Sequence, residues 1–224
     1  MDLLLPTHPG EAFDGPMQMA LDEVLLKEVS RPTLRIYHWE SPWVTFGYFQ
    51  KFEEVQATHP DVPAVRRWTG GGMVSHGEDL TFSLMVPSGD RVASEPPTAF
   101  YKALHGKLSE RIRSHLSVSI DLAGAGDVMQ GASCFEAPAK DDLLIGDKKV
   151  LGGALRRSGG ALLYQGSLCI SDIPGWDALL IPPRRWVEAL SPTLEIKELG
   201  TSILKKAGEL VMSRYGTTEW NLRK

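Results

Sequence analysis

A cysteine and a pair of lysines about fifteen positions apart are the residues of this sequence best suited to covalent chemistry. Cys134 follows a glycine-rich stretch that predicts a loop, and a thiolate is the side chain best suited to exchange with a thioester. Lys148 and Lys149 follow Gly146-Asp147, a pair typical of a hairpin turn. Strand alternation then sends the two amines to opposite faces, so that one can point inward. On residue type alone, a buried apolar cysteine and a solvated lysine pair remain open alternatives.

The segment from Arg66 to His76 is a second candidate, because it contains three consecutive glycines, Gly70, Gly71 and Gly72. Consecutive glycines let the backbone approach a ligand closely with its N–H groups exposed. Arg66 and Arg67, just before them, are suited to hold a carboxylate or a phosphate. A glycine cluster is also typical of a simple turn. His76 is a second candidate for polarising the site, and its alternative is a histidine hydrogen-bonded into the fold.

The elements that must position these segments alternate between helices and strands. Apolar residues at three- and four-residue steps predict helices, and β-branched and aromatic runs predict strands. Several strands look joined by hairpins, which favours a mixed sheet flanked by helices in an α/β (α+β) domain. The predicted helices cover 17–29, 51–58, 99–116 and 199–216, and the predicted strands cover 33–39, 43–48, 62–68, 80–86, 142–145, 149–151 and 162–170.

Composition narrows the class of protein. The 224 residues carry a formal net charge of −4 and are 42% hydrophobic, which fits one globular domain over 1–224. The acidic balance argues against a nucleic-acid partner, and no apolar run is long enough to span a membrane. The start lacks the basic and apolar regions of a secretion signal, so we expect a cytoplasmic protein with reduced cysteines. The histidines do not cluster with the cysteines, so no metal is implied, and Cys169 falls inside a predicted strand as a structural residue.

Together, these segments resemble the lipoate/biotin protein ligase and octanoyltransferase superfamily over most of the chain. The order and spacing of several motifs carry the resemblance. The segment Met19–Glu23 is similar to the family's first helix, and Phe46–Gln50 is similar to its strand-end motif. Arg66–Gly72, with Val74 and His76, is similar to the acyl-binding loop, and Leu80–Ser83 is similar to the strand that follows it. Gly146–Ala154 is similar to the hairpin that holds the lysine.

The resemblance implies the catalytic-domain fold of that superfamily and a set of site residues. By alignment, Lys149 corresponds to the essential lysine of the family. The family often reads Gly-Ser-Ala-Gln after this lysine, whereas this chain reads Gly-Gly-Ala-Leu. The implied substrate-binding residues are Arg66, Arg67, Thr69, Gly70, Gly71, Gly72, His76, Gly152 and Ala154.

The context of Cys134 resembles the LipM-type octanoyltransferases, whose nucleophile lies in a Cys-Phe-Asp/Glu-x-Pro run before the lysine hairpin. This implies transfer of an octanoyl group from acyl carrier protein, through a Cys134 thioester, to a lysine of a lipoyl-acceptor protein. The acceptor would be a glycine cleavage H protein or an E2 lipoyl domain. No cofactor is implied for transfer. We expect the octanoyl tail to enter a tunnel walled by Leu80, Phe82 and Leu84 or by their opposite-facing neighbours.

Three alternatives use the same scaffold. An ATP-dependent lipoate-protein ligase would form an acyl-adenylate with Lys149 bridging carboxylate and phosphate, and ATP would then be its cofactor. A lipoyl amidotransferase would move the acyl group from one lipoyl protein to another by the same cysteine chemistry. A non-catalytic binder of lipoyl domains or acyl chains would keep the fold and lose the chemistry.

Overall fold

The computed structural model describes residues 1–5, 13–126, 137–176 and 188–223. In this part of the chain, two sheets account for the strands. The larger has the order β11-β1-β2-β6-β10-β9-β8-β7, with β1 parallel to β2 and β11 and the other neighbours antiparallel. The smaller has the order β4-β3-β5. The strands are β1 (Asp2–Leu4), β2 (Thr33–Tyr37), β3 (Trp43–Phe46), β4 (Ala64–Arg66), β5 (Val74–His76), β6 (Leu80–Val86), β7 (Asp121–Leu122), β8 (Leu143–Ile145), β9 (Lys148–Ser158), β10 (Ala161–Leu168) and β11 (Glu195–Lys197).

Helices cover both faces of the larger sheet. The described helices are α1 (Gly15–Glu28), α2 (Phe52–Thr58), α3 (Arg91–Ser94), α4 (Pro97–Leu116), α5 (Thr201–Leu210) and α6 (Thr218–Asn221), with a π-helical turn at Val211–Tyr215. Asp14 caps α1, because its carboxylate accepts the Met17 N–H at 2.9 Å. None of these described helices is long and apolar enough to cross a membrane.

Strand β6 lies at the centre of the larger sheet and is buried along its whole length. Its alternate residues serve two cores. Phe82 and Leu84 pack with Phe100 and Leu104 of α4, whereas Met85 packs with residues of α1 on the opposite face. Because both faces are buried, most residues of the strand are apolar, and the hydroxyls of Thr81 and Ser83 donate to the buried carboxylates of Asp79 and Asp22.

The predicted mixed sheet flanked by helices is confirmed, and so are its longer elements. The hairpin of β8 and β9 turns at Gly146-Asp147 as predicted, with Gly146 at a φ of 59°. Strand β9 continues to Ser158, beyond the predicted 149–151. It does so because β10 pairs with it without interruption past Gly152 and Gly153. The predicted helix at 199–216 instead ends its α-helical part at Leu210. The short strands β1, β5, β7 and β11 were not predicted, because two or three residues show no period.

The glycine loop, Gly70–Gly72, connects β4 and β5 of the smaller sheet. The hairpin of β8 and β9 belongs to the larger sheet. Gly71 and Ala154 of β9 come within contact distance, since a Cβ built on Gly71 would lie 3.4 Å from the Ala154 Cβ. The glycine loop and the lysine hairpin therefore meet at a contact between the two sheets.

Candidate active site

A cavity of about 430 Å³ lies between the glycine loop and the lysine hairpin. The fold brings several of the predicted site residues together in its wall: Gly71, Gly72, His76, Lys149 and Ala154. Arg67 and Gly152 also line it. Of the predicted set, Arg66, Thr69 and Gly70 lie outside this wall.

Lys149 contributes a nearly buried amine to the cavity. The predicted alternation of the two lysines is confirmed, because the Lys148 side chain is 66% exposed and the Lys149 side chain is 10% exposed. Lys148 Nζ forms a surface ion pair with Asp172 at 2.6 Å. Lys149 Nζ lies 2.9 Å from Oδ2 of Asp142, a carboxylate that is almost fully buried.

Asp142 also lines the cavity, and the sequence analysis did not single it out as a candidate. Its Oδ2 accepts the Ala139 N–H at 2.7 Å, and its Oδ1 accepts the Tyr101 hydroxyl at 2.5 Å. The Tyr101 oxygen in turn accepts the Gly153 N–H at 2.9 Å. A signal existed in the hairpin itself, since an antiparallel return at Gly146-Asp147 brings residue 142 beside the strand that follows Lys149.

Gly152 makes room for the lysine amine. A Cβ at this position would lie 2.4 Å from Lys149 Cε and 2.6 Å from Lys149 Nζ, closer than van der Waals contact allows. At the next position, a Cβ on Gly153 would lie 2.4 Å from the Tyr164 hydroxyl. Gly152 therefore leaves room for the Lys149 amine on one face of β9, and Gly153 leaves room for Tyr164 on the other face.

Arg67 holds the glycine loop from within. Its guanidinium donates to the carbonyl oxygens of Gly70 at 3.0 Å and Gly72 at 2.7 Å, and to Thr45 Oγ1 at 2.7 Å. Burial lowers the pKa of Arg67 to about 10, so the group remains charged at neutral pH. Gly71 adopts a φ of 84°, a conformation that favours glycine, so the loop geometry depends on both residues.

Two of the predicted binding residues serve the scaffold instead of the cavity wall. Arg66 donates to backbone carbonyls of Tyr48 at 2.9 Å and Gln50 at 2.6 Å, and to three carbonyls near the end of the chain. The Thr69 hydroxyl donates to Gln165 Oε1 at 2.7 Å. Gln165 does line the cavity, and it donates to the buried Asp22 carboxylate at 2.7 Å.

His76 lines the cavity with both ring nitrogens already hydrogen-bonded. Nδ1 lies 2.9 Å from Asp79 Oδ2, Nε2 lies 2.8 Å from Thr45 Oγ1, and the ring stacks on Trp39 at 4.1 Å. Burial lowers the pKa of His76 more than the Asp79 carboxylate raises it, so the imidazole is neutral. Because Thr45 Oγ1 already accepts from Arg67, the pattern assigns Nδ1–H to Asp79 and makes Nε2 the acceptor of the Thr45 hydroxyl.

Asp79 completes this network as a buried carboxylate. Its burial would raise the pKa, but hydrogen bonds from His76, Ser167 and Thr81 outweigh that effect and leave the pKa below its usual value. The Ser167 and Thr81 hydroxyls donate to Oδ2 at 2.6 Å and 2.7 Å. The charge is thus held by hydrogen bonds within the protein.

The apolar residues that line this cavity differ in part from those predicted to wall the acyl tunnel. Of the β6 side chains, Thr81 lines the cavity, which fits the alternative of opposite-facing neighbours. Leu80 and Phe82 lie in the core toward α4, and Leu84 lines a second cavity of about 390 Å³. Apolar contacts in the first cavity come from other elements: Met19, Met73, Val74, Ala137 and Pro138.

Of the two cysteines, the structure describes Cys169 and not Cys134. Cys134 lies outside the described residues, but the segment that follows it, Ala137 to Ala139, lines the same cavity as Lys149. Cys169 follows β10, where burial, with a smaller effect from the Asp79 and Asp172 charges, raises its thiol pKa to about 11. Because the thiolate is the nucleophile, Cys169 is poorly suited to acyl exchange at neutral pH.

The chain is similar to proteins of known family. The family model described as "Lipoyl protein ligase A/B catalytic domain" matches residues 14–184. An octanoyltransferase LipM from Brevibacillus brevis is 28% identical in an alignment 270 positions long, which covers 96% of this chain and 97% of that protein. An octanoyltransferase LipM from Oceanobacillus iheyensis is 36% identical, over 70% of this chain and 61% of that protein. In that match and in several others, the chain spans less than two thirds of the relative's length.

Solved structures show the same fold. A lipoate-protein ligase A bound with ATP superimposes with a TM-score of 0.78 at 22% identity, and the match covers 99% of this chain and 98% of that one.

Proposed function

Since the chain belongs to the lipoyl protein ligase A/B catalytic-domain family, we propose that it is an octanoyltransferase that works through a thioester on Cys134. The donor is octanoyl-acyl carrier protein, and the acceptor is a lysine of a lipoyl-acceptor protein, either a glycine cleavage H protein or an E2 lipoyl domain. The main support is that Lys149 and the segment following Cys134 line one cavity. The LipM relatives support the choice of reaction.

Covalent geometry limits how far the cysteine can lie from that cavity. Three peptide units separate Cys134 from Ala137, and consecutive Cα atoms are about 3.8 Å apart. The two Cα atoms are therefore within about 11 Å of each other. The proposal needs the thiol to approach the Lys149 amine, and the length of this segment permits it.

The first half-reaction forms the acyl-enzyme. The Cys134 thiolate attacks the carbonyl carbon of the carrier's thioester, and the carbon–sulfur bond to the carrier breaks. The carrier leaves as a thiolate and takes up a proton. N–H groups of the glycine loop, whose carbonyls Arg67 holds, stabilise the oxyanion of the tetrahedral intermediate.

The second half-reaction forms the amide. The neutral amine of the acceptor lysine attacks the Cys134 thioester, the carbon–sulfur bond to Cys134 breaks, and the amine loses one proton. Lys149 is suited to two tasks. As an ammonium it stabilises the Cys134 thiolate and orients the carbonyl, and as a neutral amine it accepts the proton of the incoming lysine.

The Asp142 carboxylate limits the range over which the Lys149 ammonium acts. An isolated charge at about 4 Å in a partly buried site is worth ~4 kcal/mol, or roughly three pKa units on a thiol. With a carboxylate 2.9 Å from Nζ, the pair presents a dipole whose field falls off faster than that of a charge. Lys149 is therefore expected to act by direct hydrogen bonding to the reacting atoms.

The remaining predicted residues fall into two groups. Gly71, Gly72, His76, Gly152 and Ala154 form walls against which the acyl group and the thioester lie. Arg66, Thr69 and Gly70 keep the glycine loop in place through contacts outside the cavity. Transfer requires no cofactor, whereas ATP is required only if the protein acts as a ligase.

A lipoate-protein ligase is the second candidate, because an ATP-bound ligase has the same fold along nearly the whole chain. Incubation with free octanoate and ATP would then release pyrophosphate, and a Cys134→Ser variant would stay active. An amidotransferase would instead accept an octanoyl group from an acylated lipoyl protein. A non-catalytic binder would transfer no acyl group from any donor.

An octanoyl-transfer assay tests the proposal. Purified protein is mixed with octanoyl-acyl carrier protein and an apo lipoyl domain, and amide formation on the domain is measured by mass spectrometry. We expect transfer without ATP, abolition of transfer by Cys134→Ser, and retention of transfer by the matched Cys169→Ser. Transfer that survives Cys134→Ser and requires ATP would replace the proposal with ligase activity.

A further inference from the structure

A face of alternating aromatic rings and guanidinium groups adjoins the rim of the cavity. We name it the aromatic-arginine face and define it by Tyr48, Phe49, Trp68, Arg156, Trp220 and Arg223. Arg223 Cζ lies 3.9 Å from the centre of the Tyr48 ring and 5.4 Å from that of Trp220. Arg156 Cζ lies 4.9 Å from Tyr48 and 4.4 Å from Trp68. Such cation–π contacts hold the guanidinium groups in fixed positions without neutralising them.

The charge of this face is positive although the whole chain carries a formal net charge of −4. Within the described residues, Arg156 and Arg223 form no ion pair with a carboxylate. Two further cations at its edge, Lys27 and Arg214, share the buried Glu23 carboxylate. A hydrogen bond from Arg223, assisted by the charges of Arg156 and Arg214 and opposed by slight burial, lowers the pKa of the Tyr48 phenol.

Phe49 adds an apolar anchor to this charged face. Its side chain is 88% exposed, the highest value among the exposed large hydrophobic residues that the structure describes. Its ring contacts Tyr48 edge-on, with centroids 5.0 Å apart. Exposed aromatic side chains beside arginines are typical of the central residues of protein–protein interfaces.

The face is continuous with the rim at the glycine loop. Tyr48 N–H donates to the Thr69 carbonyl at 2.9 Å, and Gln50, next to Phe49, lines the cavity. A Cβ at Gly47 would lie 2.0 Å from the Gly71 carbonyl oxygen, so the two segments pack backbone to backbone. A protein bound on this face would therefore stand directly beside the opening at Gly71 and Gly72.

We infer that the aromatic-arginine face docks an acidic acyl carrier protein, so that the arm bearing the thioester enters the cavity past Gly71. The choice of partner rests on the proposed function. The donor is preferred over the acceptor because the face adjoins the glycine loop, which the mechanism assigns to the incoming thioester carbonyl. Opposite charge speeds encounter and orients the partner, and its effect weakens as salt screens it.

Binding of fluorescently labelled octanoyl-acyl carrier protein, measured by anisotropy at low salt, tests the inference. Arg223→Glu reverses one charge and leaves the Arg223 carbonyl that accepts from Arg66. Phe49→Ala removes the exposed anchor. Each is expected to raise the Kd about tenfold, the loss typical of an interface hot spot. High salt should weaken binding to the wild type more than binding to Arg223→Glu.

Two matched variants serve as controls. Arg157→Glu makes the same charge reversal at an exposed neighbour of Arg156, whose side chain leaves β9 on the opposite face. Ile196→Ala removes a half-exposed apolar side chain from the edge strand β11. Both controls should bind the carrier like the wild type. Equal Kd values for all variants, or a loss of affinity for an apo lipoyl domain in place of the carrier, would overturn the inference.

The inference and the proposed function fail in different ways. Wild-type protein that binds the carrier through this face but transfers no octanoyl group supports the docking surface and contradicts the transferase. Transfer from octanoyl-acyl carrier protein with an unchanged KM in both Arg223→Glu and Phe49→Ala supports the transferase and contradicts the docking surface.

Discussion

Two walls of the same cavity carry buried charged groups, and they differ in how those groups are partnered. On the hairpin side, Lys149 faces the cavity beside Asp142, and its side chain retains 10% exposure. On the opposite side, His76 has both ring nitrogens occupied within a network that ends on Asp79 and Arg67. A group that must exchange hydrogen bonds with a reacting substrate needs an accessible position. The comparison therefore supports the proposal that Lys149 takes part in the chemistry and that the His76 network positions the wall.

The largest expected effect is that of Lys149→Ala. Loss of the amine should lower kcat/KM for octanoyl transfer by about 10²- to 10⁴-fold, the range typical of a general acid–base group. Lys148→Ala removes the exposed neighbour that pairs with Asp172 and should leave the rate nearly unchanged. Steady-state transfer assays on both variants measure this difference. A loss of similar size for both would erase the distinction between the two faces of the hairpin.

The next effect concerns the space that Gly152 leaves. Gly152→Ala would place a Cβ 2.4 Å from Lys149 Cε and must displace the amine. A shift of about 1 Å in a reacting group can cost about 10²-fold in rate, so a loss of that order is expected. Gly106→Ala, in the open part of α4, is the matched control and should keep full activity with slightly higher thermal stability. Wild-type activity in Gly152→Ala would show that the amine position is not critical.

A smaller effect is expected one layer behind the amine. Tyr101→Phe removes the hydroxyl that donates to Asp142 and accepts from Gly153, but keeps the ring packed on His105. We expect about a tenfold fall in kcat with little change in KM, equivalent to ~1.4 kcal/mol in the barrier. Tyr164→Phe, which removes another hydroxyl beside β9, is the comparison variant, and it should leave kcat nearly unchanged in the same steady-state assay. An equal fall in kcat for both variants would contradict a specific role for the Tyr101 hydroxyl.

The smallest effect at neutral pH is expected for the buried His105, which should lower the free energy of unfolding in acid. Burial lowers the pKa of His105 from 6.5 to about 3. As pH falls below 6.5, the unfolded chain takes up this proton and the folded chain does not, so stability declines by up to ~1.4 kcal/mol per pH unit until about pH 3. Urea unfolding across this range measures the slope. His105→Gln should flatten it, whereas His115→Gln, at an exposed position, should not.

The sequence predicted the parts of this molecule that repeat or alternate. The helix predicted over 17–29, the strand predicted over 80–86 and the turn at Gly146-Asp147 each follow from local sequence, and all three are confirmed. The same alternation correctly separated Lys148 from Lys149. The short strand β1 forms because it pairs with β2, and β11 forms because it pairs with β1. Their own residues do not contain this information.

The residues that line the cavity could be predicted where a sequence motif contains them, and less well where a tertiary contact places them. The fold brings Lys149 to Gly71 and His76, which lie more than seventy positions earlier in the chain. Residue type suggested that Arg66 would bind an anion, but its donors instead satisfy backbone carbonyls near the end of the chain. The hydrogen bonds of Tyr101 to Asp142 and Gly153 depend on the packing of α4 beside β9, and no local sequence pattern predicts that packing.

Intact-mass spectrometry of the protein after brief mixing with octanoyl-acyl carrier protein, with no acceptor present, tests the central claim most directly. The account predicts a mass gain of one octanoyl group that peptide mapping assigns to Cys134, that Cys134→Ser abolishes and that Cys169→Ser retains. Unmodified protein under conditions that support transfer to an acceptor, or an adduct mapped to Cys169, would contradict the covalent route.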